Sequence, residues 1–380
     1  MTIDIFLTKE QIELKERYRD LIKKVIIPRV KEIDETDAMP PDLIQQLIKP
    51  PFTLQALSIP RRYGGLELGE LEVCLIAEEL GYACPALIPF LEIAQLYCHV
   101  ILYGGSEEQK ERFLGRLVKG DIGCYALTDE GSGSDPVSMT TTAKTVADGY
   151  EISGKKRIIT FADISDLYAI FSKREEETNK VESISAFIVE KGTPGLILEK
   201  HLKMMGLKGH RSYNITLDKV KVPKENRIEK AGLRLALNVL NTTRISLAFG
   251  FVGLARAALE AVVDFAKNRI IRGKPISEHQ AISFPIAELA TEIDAARLLA
   301  YRAAVMDEKD ARHRKETSMA KNYAGNIMIK SVDLASRILA GYGTDTEYPV
   351  ERYLRDAYSW VAAQGTREVQ NLVISREIFR

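Results

Sequence analysis

The chain is poor in the residues that build disulfide frameworks and metal centres. Its 380 residues include four cysteines, Cys74, Cys84, Cys98 and Cys124, all scattered through apolar stretches. Its five histidines do not have the spacing of a metal site. These features indicate buried free thiols in a reducing cytoplasm, and they predict neither a disulfide scaffold nor a bound metal.

An excess of charge of either sign is also missing. Lys+Arg and Asp+Glu each number 53, so the formal net charge is +0. Such a chain offers no broad basic surface to nucleic acid or to an anionic membrane. No uninterrupted run of about 18 apolar residues appears, and the first residues lack the basic and apolar segments of a signal peptide. We therefore expect a cytoplasmic protein with no nucleic-acid partner and no membrane span.

Residue patterning divides the chain into three parts. Residues 1–120 and 233–380 carry apolar side chains at the three- and four-residue spacing of amphipathic helices. Residues 121–232 are instead rich in β-branched residues, glycines and turns. The pattern predicts an N-terminal α domain (1–120), a middle β domain (121–232) and a C-terminal α domain (233–380). Strands are expected near residues 149–154, 166–171, 184–189 and 214–222.

Two local signals predict helix boundaries in the first domain. Ser106 is followed three residues later by Gln109, the spacing of a capping box at a helix start. Gly81 follows an amphipathic stretch, and this position is typical of the residue that ends a helix. We therefore expect one helix to end at Gly81 and another to begin after Ser106.

The stretch 125–135, Tyr-Ala-Leu-Thr-Asp-Glu-Gly-Ser-Gly-Ser-Asp, is the first candidate ligand site. A strand leads into a loop with two glycines and several hydroxyl groups. Such a loop can present backbone N–H groups and hydroxyls to a polar or anionic ligand. From these residues alone, a ligand-binding loop and an ordinary capped turn both remain open.

The second candidate lies near the C-terminus, at Tyr348–Ala357 and Gln364–Thr366. Pro349 fixes its backbone φ angle and therefore separates the preceding helix from the next. Gly365 permits a tight turn whose N–H groups can point at a ligand. The stretch is predicted to form a loop, the charged start of a helix, and a second turn before a last helix.

Together these stretches resemble the acyl-CoA dehydrogenase family. The C-terminal run matches YPVE, RDA and EGT, with Gln364 in place of Glu, and the 125–135 loop resembles ALTEPxAGSD. Residues 155–162 are similar to GxKxWITNG, and residues 265–280 to YxxxRxxFGxPIxxxQ. Residues 337–343 are similar to QILGGxG. The motifs occur in family order along essentially the whole chain.

The resemblance implies an α+β fold with an N-terminal helical domain, a middle β-barrel-like domain and a C-terminal four-helix bundle. It also implies one FAD per subunit, a homotetramer built as a dimer of dimers, an acyl-CoA thioester substrate and electron transfer to electron-transferring flavoprotein. The expected functional class is an oxidoreductase acting on a CH–CH group.

The same resemblance assigns residues to the two ligands. Thr128 would bond the pyrimidine side of the flavin, Thr160 would lie near its N5 atom, and Arg269 would pair with the pyrophosphate. The implied FAD-binding set is Tyr125, Leu127, Thr128, Gly133, Ser134, Ile158, Thr160, Arg269, Gln280, Arg337, Gly341, Thr366 and Glu368. The implied substrate-binding set is Ser134, Arg244, Gln364 and Arg376.

The catalytic base is where the sequence departs from the family. The usual base is the Glu of EGT, and Gln364 has no carboxylate that could take a proton. A minority of members place the base just before the Arg that here is Arg244, but that position is Thr243. The best remaining candidate is Glu92, a lone acid on an apolar helix that would line the far end of the acyl pocket. A purely structural role for Glu92 remains open.

We therefore expect Glu92 and Gln364 to form the catalytic site, with Glu92 as a relocated base and Gln364 supplying a backbone N–H to the thioester carbonyl. The pattern resembles dehydrogenases of alicyclic thioesters such as cyclohexane- and cyclohexene-carbonyl-CoA. A flavin monooxygenase and a non-catalytic flavoprotein subunit on the same fold are the alternatives.

Overall fold

The computed structural model describes residues 3–230, 232–309 and 311–380. Met1 and Thr2, part of the segment inspected for a signal peptide, lie outside the described residues. The described chain forms a helical N-terminal part, a middle sheet and a helical C-terminal part, which confirms the predicted fold class.

The N-terminal part is built from amphipathic helices with defined starts. Thr8 and Ser106 each form a capping box, with Gln11 and Gln109 respectively, so the predicted helix start after Ser106 is confirmed. The helices are α1 (Lys9–Val25), α2 (Val30–Thr36), α3 (Pro41–Ile48), α4 (Glu70–Ala83), α5 (Ile88–Gly104) and α6 (Glu107–Val118).

Gly81 does not end a helix, contrary to the expectation from its position. It lies inside α4, where a Cβ atom would come within 2.3 Å of the carbonyl oxygen of Gly250. Gly253 on the facing helix is equally tight, because a Cβ atom there would come within 2.2 Å of the carbonyl oxygen of Glu78. These glycines let two helix backbones approach closely, so packing rather than termination requires Gly81.

The middle part is a curled mixed sheet whose order is β1-β4-β2-β3-β7-β6, with β5 paired to β4. β1 and β2 run parallel to β4, and the other pairs are antiparallel. The strands β2 and β6 were not predicted because both are short and partly exposed, with charged residues. The strands are β1 (Gly123–Ala126), β2 (Thr142–Val146), β3 (Gly149–Thr160), β4 (Leu167–Arg174), β5 (Ile184–Glu190), β6 (Leu196–His201) and β7 (Ser212–Pro223).

The C-terminal part packs its three longest helices along one another, with two shorter helices against them. The longest helix is rich in buried Ala, Leu and Val and also packs on α4 and α5. The elements are α7 (Leu233–Asn268), β8 (Ile270–Ile271), β9 (Lys274–Pro275), α8 (Gln280–Glu308), α9 (Arg314–Leu339), α10 (Val350–Trp360) and α11 (Arg367–Ile378).

Two segments are long and apolar enough to cross a membrane by length and composition, Pro85–Gly104 and Leu233–Asn268. In their most apolar windows, 89% and 78% of the residues are buried inside the fold. Their burial accounts for the apolar composition, because both are central core helices. The four cysteines are also buried and free, as the sequence predicts.

Candidate active site

The turn between α10 and α11 has an unusual backbone. Gln364 has a φ angle of 53° and Gly365 one of 110°, so both lie in the left-handed region. A non-glycine residue held there costs about 1–3 kcal/mol and persists only where surrounding contacts fix it. Thr366 then caps α11, its hydroxyl accepting a hydrogen bond from the N–H of Val369.

Buried cations hold this turn through its carbonyl groups. Arg244 on α7 donates from Nε to the Gln364 oxygen at 2.8 Å. Lys321 on α9 donates from Nζ to the oxygens of Val361 and Gly365, at 2.8 and 2.7 Å. These bonds fix where the Gln364 backbone and side chain point. Among the described residues, no acceptor meets the N–H of Gln364.

Glu92 lies beside this turn, so the structure brings the two predicted catalytic residues together. Its side chain sits on α5 and is 5% exposed. Burial raises the pKa of Glu92 to about 8, while the nearby Gln364 amide and Lys321 ammonium lower it in part. Neither Glu92 Oε1 nor Gln364 Nε2 has a hydrogen-bond partner among the described residues. The carboxyl is therefore buried and incompletely paired.

Gln364 and Thr243, the two positions at which the resembled family places its base, are hydrogen-bonded to each other. The hydroxyl of Thr243 donates to Gln364 Oε1 at 3.1 Å, and also lies 3.2 Å from the oxygen of Val239. This bond orients the Gln364 amide with its oxygen toward Thr243. Neither group can take up a proton near neutral pH. The titratable carboxyl beside them is that of Glu92.

The 125–135 loop lies against β3. The N–H of Arg157 donates to the Thr128 oxygen at 2.9 Å, and an isolated bridge joins Asp129 to Lys156. Leu127 is buried, Thr128 is half-buried, and Gly133 and Ser134 are exposed. Tyr125 is half-buried with its hydroxyl 3.3 Å from the oxygen of Ala236. The loop thus offers hydroxyls and N–H groups at the surface beside β3.

A buried ion pair fixes the start of this loop. Lys156 Nζ lies 2.6 Å from Asp129 Oδ1, and both side chains are 0% exposed. The other oxygen of Asp129 accepts from the N–H groups of Thr140 and Thr141, each at 2.7 Å. Burial alone would raise the pKa of Asp129. The charge and hydrogen bond of Lys156, together with the N–H groups of Thr141 and Thr140, outweigh burial and hold the pKa below its usual value. The pair is therefore ionised at neutral pH.

The strand β3 bulges where the flavin is expected. Its register to β7 shifts between Lys156 and Ile159, and Ile158 has a φ angle of 57°. A β-branched residue in that region is a true outlier, and the bulge turns the Ile158 side chain outward, where it is 52% exposed. Thr160 Oγ1 lies 3.2 Å from Nε2 of His210. An apolar surface thus adjoins two half-buried hydroxyls, those of Thr128 and Thr160.

The remaining predicted residues lie on the C-terminal helices. Arg269 is exposed and stands over the ring of Tyr342, 5.6 Å from its centroid, beside a groove of about 450 Å³. Gly341 lies in the same turn as Tyr342. Arg337 pairs with Asp333 at 2.9 Å. Three more are exposed and take no part in the hydrogen bonds that build the buried site, namely Gln280, Glu368 and Arg376.

Sequence reasoning missed the groups that hold the site together. Lys321, His210 and the pair Asp129–Lys156 were not predicted to belong to it. A signal existed for Lys321, since it stands between small residues on a helix face that is otherwise buried. Burial lowers the pKa of His210 to about 4, so its ring is neutral beside Thr160.

Comparisons with known proteins agree along the whole chain. The family model for the acyl-CoA dehydrogenase N-terminal domain matches residues 8–121, the middle-domain model residues 124–220 and the C-terminal-domain model residues 230–379. An acyl-CoA dehydrogenase of Bacillus subtilis (strain 168) is 37% identical over 373 residues, covering 97% of this chain and 98% of that protein. The chain belongs to the acyl-CoA dehydrogenase family. It is therefore an oxidoreductase that acts on acyl-CoA with FAD as its cofactor.

Solved structures give the same result for this acyl-CoA dehydrogenase. Butyryl-CoA dehydrogenase from Megasphaera elsdenii is 32% identical, with a TM-score of 0.94 over 98% of this chain and 99% of that one. A chain in a structure described for the electron transferring flavoprotein of Acidaminococcus fermentans is 32% identical, with a TM-score of 0.95 over 100% of both chains. An FAD complex of PigA is 26% identical, with a TM-score of 0.92 over 98% of both chains.

The residues of the middle part suit FAD. A flavin presents a flat apolar ring with a polar edge, and Ile158 offers an outward apolar side chain next to the hydroxyls of Thr128 and Thr160. The loop is exposed at Gly133 and Ser134, and apart from Gly133 and its two neighbours no atom lies within 4 Å of the place that a Cβ on Gly133 would occupy. This open space leaves the backbone N–H groups and the Ser134 hydroxyl accessible to an anionic group. This donor set fits the cofactor of the family.

Proposed function

We propose that this chain is an FAD-dependent acyl-CoA dehydrogenase in which Glu92 acts as a relocated base on a cyclic acyl-CoA, such as cyclohex-1-ene-1-carbonyl-CoA or cyclohexane-carbonyl-CoA. One observation carries the proposal: the buried carboxyl of Glu92 lies beside Gln364, where the family has its base. The bound FAD supplies the hydride acceptor.

The base position of the family has two functions, proton removal by its side chain and carbonyl binding by its backbone N–H, and Gln364 retains the second. Its side chain cannot accept a proton at neutral pH, but its backbone N–H is free of other acceptors among the described residues. A free N–H in a rigid turn can donate to the thioester carbonyl and stabilise negative charge that develops on its oxygen. We therefore propose that Gln364 binds the carbonyl group and that Glu92 removes the proton.

A cyclic enoyl thioester suits a base that is displaced along α5. Conjugation with the thioester acidifies the ring γ carbon, so a carboxylate beyond the usual position can remove a proton there. The electrons then pass through the existing double bond toward the α carbon. Hydride loss from the ring carbon on the other side of the α carbon completes a conjugated diene. Glu92 thus gains one proton, and the ring loses one proton and one hydride.

The raised pKa of Glu92 fits this role. A general base works best when its pKa lies near the working pH, because it is then both available and strong enough. The apolar surround of α5 raises the pKa of Glu92 to about 8. The Gln364 amide and, to a smaller extent, the charge of Lys321 keep this pKa from rising further.

The FAD residues assigned by resemblance are likewise part of the proposal. Thr128 and Thr160 would hold the flavin ring, and Ser134 would lie where the flavin and the CoA phosphates meet. Arg269 would hold the pyrophosphate, and Arg376 would lie near the CoA nucleotide. Arg269 and Gln280 are exposed in the single chain, as expected if both reach the FAD of a second subunit.

We further propose a homotetramer that passes electrons to an electron-transferring flavoprotein. The turn after α7 and the start of α8 expose large apolar side chains next to Arg269, which supports a subunit contact there: Ile270, Ile271 and Phe284. Family membership and the Acidaminococcus fermentans structure support the electron acceptor.

Replacing Arg269 with Ala should weaken FAD retention by about 1.5–3 kcal/mol, the scale of a hydrogen bond to a charged group. Equilibrium dialysis of the flavin from purified protein measures this. Arg272→Ala is the matched control, because Arg272 is also exposed and lies three residues away. Equal retention by both variants would place the pyrophosphate elsewhere.

Replacing Gln364 with Glu should not produce a fast straight-chain dehydrogenase. The new carboxylate would lie beside the buried carboxyl of Glu92, and the two would repel each other. Turnover of butyryl-CoA and octanoyl-CoA by the variant is the measurement, with Gln364→Asn as an uncharged control. A large gain from this single change would show that the pocket is an ordinary one that has only lost its base.

A further inference from the structure

Lys321 is a buried cation that contacts no carboxylate. Its side chain is 2% exposed, and it has no salt bridge among the described residues. Nζ donates to the oxygens of Val361 and Gly365, and it lies 5.7 Å from the ring centroid of Phe251. These two oxygens lie on either side of Gln364 in the chain.

Holding two carbonyl groups does not by itself require a charge. An amide could donate to both oxygens, and burying an ammonium costs far more than burying an amide. Burial and the neighbouring Arg244 lower the pKa of Lys321 to about 8, which shows how unfavourable the position is. The two carbonyl contacts therefore do not by themselves account for a buried ammonium group at this position.

The groups that face Lys321 show what its charge can act on. Glu92 faces it from α5, Arg244 from α7 and Glu368 from α11, while Arg314 on α9 acts on Arg244. Glu368 is exposed, so water screens it. Glu92 is the buried carboxyl in this group, and the field of Lys321 acts on it through a medium of low dielectric constant.

We propose that Lys321 is a positioning residue with two effects: it holds the turn that carries Gln364, and it supplies the positive charge that faces Glu92. The second effect rests on the proposed function of Glu92 as the base. The ammonium group donates to two carbonyl oxygens of the turn, so it acts through the turn and through its charge. It favours the ionised carboxylate before proton removal and holds the carbonyl-binding N–H in place.

Two variants separate the effects. Lys321→Gln keeps a donor for the two carbonyls and removes the charge, whereas Lys321→Met removes both. The measurement is the anaerobic rate of flavin reduction by a cyclic enoyl-CoA as a function of pH, together with FAD retention and the thermal unfolding midpoint. We expect the pH midpoint of both variants to rise by about 1 unit, the effect of losing a nearby opposite charge. Near pH 7 the rate should then fall about tenfold.

Lys321→Gln should retain FAD and thermal stability like the wild type, while Lys321→Met should lose some of both. An unchanged pH midpoint in both variants, with lower stability alone, would overturn the proposal and leave Lys321 as a structural donor. The variant Glu92→Gln distinguishes a failure of the Lys321 proposal from a failure of the proposed function. If that variant retains the wild-type pH midpoint, Glu92 is not the base. If the rate of Glu92→Gln no longer depends on pH while Lys321→Gln has the wild-type pH midpoint, Glu92 is the base and only the proposed role of Lys321 is wrong.

Discussion

Replacing Glu92 with Gln is expected to lower flavin reduction by the true substrate about 10²–10⁴-fold, the usual contribution of a positioned base. The substitution keeps the shape of the side chain and removes its basicity. FAD and thioester binding should persist, since neither depends on the charge of Glu92. Anaerobic stopped-flow measurement of flavin bleaching, with separate titrations of both ligands, tests this.

The wild-type rate should also depend on pH in a defined direction. Glu92 must be ionised to accept a proton, and its pKa is raised to about 8 by burial. The rate should therefore rise with pH up to about 8 and level off above it, and Glu92→Gln should remove this dependence. Glu70→Gln is the matched control, because Glu70 is a buried carboxyl on α4 whose pKa is also raised well above its usual value. Reduction of Glu92→Gln at the wild-type rate would make Glu92 structural.

Removing one partner of the buried pair Asp129–Lys156 should have the largest effect on stability. Lys156→Met leaves the Asp129 carboxylate buried without its cation, and such a change typically costs about 3–5 kcal/mol. The same carboxylate accepts hydrogen bonds from the N–H groups of Thr140 and Thr141, so the 125–135 loop should become less ordered as well. Urea unfolding and FAD titration measure the two losses.

The neighbouring residues provide a control for this pair. Arg157 and Glu130 form an ion pair at 3.1 Å, but their side chains are 48% and 76% exposed. Glu130→Gln should change stability by less than about 1 kcal/mol, because water screens exposed pairs. Equal effects of Lys156→Met and Glu130→Gln would mean that the buried pair does not hold the loop.

Local signals in the sequence were sufficient for much of the fold. The capping box at Ser106 and the long helical periodicities predicted elements that depend on neighbours along the chain. Gly81 was misassigned because its role depends on Gly250, far away in the sequence. The strands β2 and β6 were missed because their hydrophobic pattern is weak and their pairing with distant strands decides their conformation.

In the candidate site, too, some residues could be predicted from the local sequence and others could not. Glu92 stood out as a lone acid among apolar residues of one helix, and the structure places it beside Gln364. The Asp129–Lys156 pair could not be assigned, because a charged residue in a sequence looks the same whether it is buried or exposed. Lys321 had only the signal of the small residues around it on its helix, which does not show what its ammonium group contacts. The outward turn of Ile158 depends on a bulge that no spacing in the sequence predicts.

A relocated base that acts on a cyclic acyl group determines which thioesters can reduce the flavin, and anaerobic bleaching by paired thioesters measures this. The purified FAD-bound protein is mixed with cyclohex-1-ene-1-carbonyl-CoA, cyclohexane-carbonyl-CoA or butyryl-CoA. We expect a cyclic thioester to bleach the flavin fully and butyryl-CoA to bleach it at least about 10²-fold more slowly, as for a substrate that the base cannot reach. Rapid bleaching by butyryl-CoA with none by either cyclic thioester would show that Glu92 is not a relocated base for a cyclic acyl group.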